Sequence, residues 1–271
     1  MSEDRVKIVI EDGVADVRLT RTDKMNALDD AMFKALVAAG ERLKTEKGVR
    51  AAVVSGDGKA FCAGLDMGNF GKMADGSRKA GESSAGGNLA ERSHGESNRA
   101  QYVAMVWRDV PVPVIAAVHG VAFGGGFQLM LGADIRYVAP DTRLSVMEIK
   151  WGLVPDMGGV ELMRRLARED IVRELTYTGR IFSGEEAGAY GFATKVTASA
   201  REDALALARE IASKSPTAIR AGKRLMNLAA HGSSAEILLA ESVEQIALIG
   251  SPNQVEAIMS NLQKRAANYA D

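Results

Sequence analysis

Val6, Ile8 and Ile10 alternate with polar residues, Asp12-Gly13 supplies a turn dipeptide, and Ala15, Val17 and Leu19 alternate again. Period-two spacing on both sides of a turn predicts an opening β-hairpin. Residues 21–28 are mostly polar and aperiodic, and they read as a loop. Helical spacing begins at 29 and runs to 44, with Asp29 or Asp30 placed to cap it. Residues 49–55 and 114–118 are short, nearly unbroken apolar runs, the pattern of strands buried on both faces. Between them 98–108 reads as a helix, after which Pro111 and Pro113 bring the chain back into the sheet.

The second half changes rhythm. Residues 127–131 are helical in pattern, 161–168 predict a basic helix, and 171–178 predict another that Gly179 closes. Ser183 with Glu186 three residues later is a capping box, Gly191 ends the helix it starts, and 193–196 is a short strand. From 201 the spacing is helical throughout, over 202–212, 216–227, 235–249 and 253–267, with Pro216 at a first turn. Strand–helix units followed by helices alone predict an α/β core over residues 1–200 and a helical C-terminal region over 201–271. Residues 67–99 interrupt the core with Gly, Ser, Lys and Glu and few large apolar residues, so they read as a long surface excursion.

Composition narrows the function classes. The 271 residues are 46% hydrophobic and 25% charged, with a formal net charge of −1. That balance gives no electrostatic case for a nucleic-acid or membrane partner. One cysteine, Cys62, excludes an intramolecular disulfide, and His94, His119 and His231 share no metal-ligand spacing. No apolar run reaches the roughly 18 residues of a membrane helix. The opening MSEDRVKIVIEDG is charged and alternating, unlike a secretory signal, which makes cytoplasmic the expected location.

Chemistry concentrates between Val114 and Val160. A buried strand ends at Gly120, and Gly124, Gly125 and Gly126 open a helix. A strand, a glycine turn and a helix start leave backbone N–H groups unpaired, ready for an anion or developing negative charge. Glu148 and Asp156 follow, eight residues apart. Two carboxylates beside such a turn point to proton transfer next to a carbonyl. Gln128 is an amide and serves as neither acid nor base. Cys62 has no neighbouring histidine or basic residue to activate it, His119 reads as structural, and Trp107, Met147 and Trp151 read as core before they read as the lining of an acyl pocket.

These residues carry a resemblance. AAVHGVAFGGGFQL followed by ADIRYVAPDTRLSVMEIKWGLVPDMGG resembles the crotonase (enoyl-CoA hydratase/isomerase) superfamily, as do KAFCAGLDM, RTDKMNAL and LTYTGRIFSGEEAGAYGFATKV, in order over nearly the whole chain. The resemblance implies a spiral of ββα repeats with a helical C-terminal region that packs on neighbouring subunits in a homotrimer or homohexamer. It implies an acyl-CoA substrate and no cofactor beyond that CoA. By position it assigns an oxyanion hole to the Leu65 and Gly125 amides. It assigns CoA and substrate contacts to Lys24, Met25, Ala27, Ala63, Asp66, Met67, Gly124 and Gln128, and to Tyr269 near the end a contact with a neighbouring subunit's CoA.

The family's hydratases carry two glutamates, and the matching positions here are Gln128 and Glu148. Members that move double bonds along dienoyl chains have an aspartate where this chain has Asp156, and the pattern is closest to theirs. Three readings follow. One is a double-bond isomerase using Glu148 and Asp156. The second is a hydratase using Glu148 with Gln128 orienting water. The third is an acyl-CoA-binding protein without turnover.

Overall fold

The computed structural model describes residues 5–77, 81 and 85–271. The first four residues of the opening segment, and 78–80 and 82–84 of the excursion, lie outside the described residues.

The hairpin is β1 (Val6–Glu11) and β2 (Val14–Leu19), antiparallel with Ile8 opposite Val17. α1 (Asp30–Thr45) starts where Asp29 accepts the Met32 N–H at 2.8 Å, and it buries Met32, Phe33, Leu36 and Leu43. β3 (Ala51–Gly56) and β4 (Val114–Val118) are buried at every position. Between them come α2 (Met67–Ala74) and α3 (Arg99–Asp109), the latter opened by a capping box of Asn98 and Gln101. Then follow β5 (Val121–Phe123), α4 (Gly125–Leu131), β6 (Ile135–Val138) and β7 (Arg143–Ser145). A single 3-10 turn, Glu148–Trp151, leads to α5 (Gly159–Met163), α6 (Glu169–Thr178), β8 (Phe182–Ser183), α7 (Gly184–Tyr190) and β9 (Lys195–Val196). Four helices finish the chain: α8 (Ala200–Ala212), α9 (Pro216–Ala229), α10 (Ser234–Leu248) and α11 (Pro252–Leu262).

Six strands form one sheet in the order β1-β2-β3-β4-β6-β9, parallel beyond the first pair, and β5, β7 and β8 form a second. The chain steps from the large sheet to the small one twice, β4 into β5 and β6 into β7, and each time goes on into helical turns. That repeated step is the ββα spiral expected from the sequence. Alternate residues of β3 and β4 serve two cores. Ala52, Val54, Ala116 and Val118 pack with α1, α3 and α4. Ala51, Val53, Ile115 and Ala117 pack against Ala204, Ala208 and Ala212, a four-residue repeat that lays a flat face of α8 on the sheet. α8 therefore completes the core although it begins at the expected boundary of the helical region.

Three expectations are corrected. The 161–168 helix is α5, which starts earlier because Gly158 takes a left-handed φ of 83°. It ends at Met163 in a tightened turn, with Arg168 extended at the start of α6. The last helix stops at Leu262, where Lys264 turns left-handed (φ 51°). The excursion contains α2, nucleated by the Asp66 side chain accepting the Gly68 N–H at 2.8 Å, a cap that the loop-like composition hides.

Lys223 on α9 ties the helical region to the sheet. Its side chain is 5% exposed, and Nζ donates to Trp107 O (3.0 Å), Val112 O (2.9 Å) and Asp134 Oδ2 (2.8 Å). The same Asp134 oxygen accepts the Val114 N–H that begins β4. Lys223→Met keeps the stem and leaves those acceptors without their cation. Urea unfolding should show a loss of roughly 3 kcal/mol or more.

Candidate active site

Two segments from different turns of the spiral meet backbone to backbone. A Cβ on Gly126 would fall 2.2 Å from Cys62 O, and one on Gly64 would fall 2.5 Å from Phe123 O. Only glycine permits that approach, and Gly64 also needs its φ of 87°. Cys62 bridges Ala122 in parallel, through Cys62 N–H to Val121 O at 3.0 Å and Phe123 N–H to Cys62 O at 3.2 Å. Leu65 bridges Leu28 on its other side. There the Leu28 N–H meets Gly64 O at 2.8 Å and the Asp66 N–H meets Leu28 O at 3.1 Å.

Extended backbone alternates its amides, so the bonds at 64 and 66 turn the Leu65 N–H away from Leu28. The Gly125 N–H is the first in α4 and has no acceptor within the helix. Neither amide donates to a backbone acceptor among the described residues. Leu65 and Gly125 line the same cleft, so two open N–H donors face it.

The cleft has a volume of about 720 Å³. Leu28, Phe33, Met73, Ala100 and Met157 are among its apolar lining residues, and Lys24, Asp23 and the Arg21–Asp66 ion pair (2.6 Å) are among its charged ones. The 21–28 loop reaches it through two successive left-handed residues, Met25 (φ 48°) and Asn26 (φ 57°). Asn26 is fully buried and donates to Asp57 O (3.0 Å) and Ala60 O (2.8 Å), which holds the loop beside Ala63.

Glu148 begins the 3-10 turn. Its Oε1 accepts the Gln128 Nε2–H at 2.6 Å, and its Oε2 is buried with no hydrogen-bond partner. The carboxylate lies against Gly124, where a Cβ would come within 3.1 Å of Oε1. Burial raises the Glu148 pKa from its ordinary value, and the charge of Asp156 adds to that. Its own N–H and the Gln128 amide pull the other way. Asp156 opens onto the cleft, yet the surrounding protein excludes enough water to raise its pKa as well.

Of the residues assigned from the sequence, Lys24, Met25, Ala27, Ala63, Leu65, Asp66, Met67, Gly124, Gly125, Glu148 and Asp156 line this one cleft. Gln128 and Tyr269 do not. Gln128 is 1% exposed, its Oε1 accepts the Met157 N–H (2.8 Å) and the Gly159 N–H (2.9 Å), and it lies behind the cleft wall rather than on it. Tyr269 lies in a tail pinned elsewhere on its own protomer, its carbonyl accepting from Arg50 at 3.0 Å. The helical region gives no lining residue to its own protomer's cleft. Asp66 caps α2; burial pushes its pKa upward, but the Gly68 N–H and Arg21 hold it below the ordinary carboxylate range.

Other readings sort themselves by burial. Cys62 is fully buried and its thiol is pushed up to about 12, so it is inert at neutral pH. His119 is structural, its Nε2 3.0 Å from Gly58 O. Trp107 is core at 1% exposure, but Met147 and Trp151 line the cleft, and Trp151 stacks on Phe70 at 4.1 Å across its mouth. Sequence reasoning missed that pair, because Phe70 sits in the excursion. It also missed Asn26, whose only local signal is the tolerance of asparagine for left-handed backbone.

The family model for enoyl-CoA hydratase/isomerase matches residues 9–271. The chain is 30% identical to the human mitochondrial Delta(3,5)-Delta(2,4)-dienoyl-CoA isomerase, over 93% of this chain and 77% of that one. It is 28% identical to the mouse mitochondrial methylglutaconyl-CoA hydratase, over 95% and 79% respectively. Among solved structures, an enoyl-CoA hydratase from Polaromonas sp. JS666 superposes with a TM-score of 0.86 at 26% identity, covering 98% of this chain and 99% of that one. An enoyl-CoA hydratase from Bacillus anthracis gives the same TM-score and identity, with 98% of each chain covered. With its ββα spiral, its helical C-terminal region and a family match over nearly its whole length, the chain belongs to the enoyl-CoA hydratase/isomerase family of the crotonase superfamily, whose substrates are acyl-CoA thioesters.

Proposed function

We propose that this protein shifts double bonds along the acyl chain of an enoyl- or dienoyl-CoA. The observation that carries the reading is the presence of two carboxyl groups, Glu148 and Asp156, in one cleft, each with its pKa raised by burial. An isomerase removes a proton at one carbon and returns one at another, so it gains from two titratable groups held above their ordinary range. One carboxylate takes a proton from a carbon conjugated with the thioester, and the electron pair moves onto the carbonyl oxygen as a dienolate. The Leu65 and Gly125 amides hold that oxyanion, each such donor lowering the barrier by roughly 3–4 kcal/mol in comparable sites. Protonation at a second carbon by the other carboxyl returns the electrons to a shifted double bond. The substrate loses one proton and gains one, the two carboxyls exchange protonation states and are reset by proton exchange, and nothing is oxidised, so the reaction calls for no cofactor besides the CoA in the substrate.

The similarity to a dienoyl-CoA isomerase supports this reading, and the similarity to a methylglutaconyl-CoA hydratase keeps hydration as the alternative to test. The sealed Gln128 amide favours isomerisation, since a hydratase reading would ask it to face water. Asp156→Asn should lower conversion of a 3,5-dienoyl-CoA on the order of 10²–10⁴-fold, the usual worth of a positioned acid or base. Hydration of a simple 2-enoyl-CoA should hardly change, whereas Glu148→Gln should damage both. Equal losses from Asp156→Asn on the two substrates would end the isomerase reading.

The raised pKa values also predict a stability signature. Each folded-state pKa lies above its unfolded value, near 4.5 for Glu148 and 3.8 for Asp156. The folded protein therefore binds more protons in the window above those values, and stability falls as pH rises through it. Glu148→Gln and Asp156→Asn should each raise Tm above that window and lose the advantage below pH 4. Melting curves at pH 3.5 and pH 8 test this, and a Tm lowered at pH 8 would contradict it.

We further propose assembly into a homotrimer or a dimer of trimers through the C-terminal helices. α10 buries no residue in the protomer, and Leu239, Ile246, Ile249 and Leu262 are 65–75% exposed. Large apolar side chains exposed in that number on the last two helices point to an interaction surface. Sedimentation should find a trimer or hexamer at micromolar concentration; a monomer would refute the assembly.

A further inference from the structure

We propose that Gln128 is a positioning residue that joins Glu148 to the loop carrying Asp156 and leaves Oε2 as the single working oxygen of Glu148. The inference rests on the reading that Glu148 exchanges a proton with the acyl chain.

The amide can sit only one way round. Its Oε1 accepts two backbone N–H groups, Met157 at 2.8 Å and Gly159 at 2.9 Å, so its nitrogen is the atom that faces Glu148 at 2.6 Å. Flipping it would set its NH2 against two N–H donors and its oxygen against a carboxylate. Glu148 Oε1 is therefore held as an acceptor, and a proton arriving at Glu148 goes to Oε2. That oxygen is buried and has no hydrogen-bond partner. Met157 directly follows Asp156, and Gly159 approaches so closely that a Cβ there would lie 2.6 Å from the amide oxygen. One side chain thus fixes the orientation of one carboxylate and the backbone beside the other.

A carboxylate at position 128 would act differently. It could still accept from Met157 and Gly159 through one oxygen, but its second oxygen would oppose Glu148 Oε1, acceptor against acceptor. The two acids would share a proton and titrate as a pair. The other charged groups lining the cleft are Asp156, Arg143 on β7, Lys150 on the same 3-10 turn, Asp23, Lys24 and the Arg21–Asp66 pair. None of these changes in a variant at 128, so a shift reports the amide.

The test compares full-length Gln128→Glu and Gln128→Met with the parent protein, after circular dichroism confirms folding. Difference infrared spectroscopy follows the Glu148 carboxyl against pH, its band identified by its loss in Glu148→Gln. Steady-state kinetics on a 3,5-dienoyl-CoA give kcat and KM over the same range. Both variants should move the Glu148 titration to higher pH, Met by removing a donor and Glu by adding a like charge. The acidic limb of the rate profile should move with it. kcat should fall on the order of 10–100-fold, as slight misplacement of a reacting group produces, with KM little changed. An unmoved Glu148 titration in either folded variant overturns the proposal, as does a loss confined to KM. If Met unfolds the protein, Gln128→Glu decides, because it retains the acceptor for both N–H groups. If the titration moves as expected but the parent protein turns over no dienoyl-CoA, the positioning role stands and the isomerase reading alone fails.

Discussion

The site depends on a contact with no side chain in it. Gly126 lies against Cys62 O, and Gly64 lies against Phe123 O. Any Cβ at either place would push apart two segments that belong to successive turns of the spiral. Their approach does two things together. It continues the small sheet outward through the Cys62–Ala122 bridge, and it brings the Leu65 and Gly125 amides to one cleft with their donors unspent. Backbone donors fixed by the sheet need no reorganisation when charge develops, which is where electrostatic catalysis has its advantage. On the proposed reading the oxyanion contacts are built into the strand register, and Leu65 is free to be any residue whose side chain fits.

The carboxyl beside those amides is costly to charge: burial raises the free energy of the Glu148 carboxylate, and the charge of Asp156, which opens onto the same cleft, adds to it. Elsewhere a buried charge is fully paired: Lys223 donates to two backbone carbonyls and to Asp134. Glu148 Oε2 is a buried oxygen without a hydrogen-bond partner. Such an unsatisfied group is tolerated where a ligand or a reacting atom completes it.

The sequence made some of this legible and hid the rest for physical reasons. β3 and β4 could be read because strands buried on both faces are unbroken apolar runs, and the starts of α1 and α7 because Asp29 and Ser183 cap locally. The glycine turn and the two carboxylates could be singled out because they cluster within 40 residues of chain. β5, β7 and β8 have two or three residues each, too few to show any period. α2 is held by one cap and by Phe70 stacking on Trp151, a partner some 80 residues away that no local window contains. Lys223 reads as a helix-surface lysine until its acceptors on α3 and before β4 are seen.

Gln128 is the sharpest case of that limit. From the sequence it is a missing acid, and the natural inference is a group that handles water. In the fold it is bonded at both ends, to Glu148 on one side and to the 157–159 backbone on the other. A glutamate there would either lose the bond to Glu148 or hold a proton in common with it, so a single catalytic charge would be spread over two carboxylates. The amide keeps the donor while removing the charge. Glu148 is then left with one neighbour of its own sign, Asp156, and with one unbonded oxygen. With an amide at 128, the second carboxyl that lines the cleft beside Glu148 is Asp156. On the proposed reading, two carboxyls in one cleft suit a proton leaving one carbon and arriving at another, whereas two acids gathered around one water molecule suit hydration.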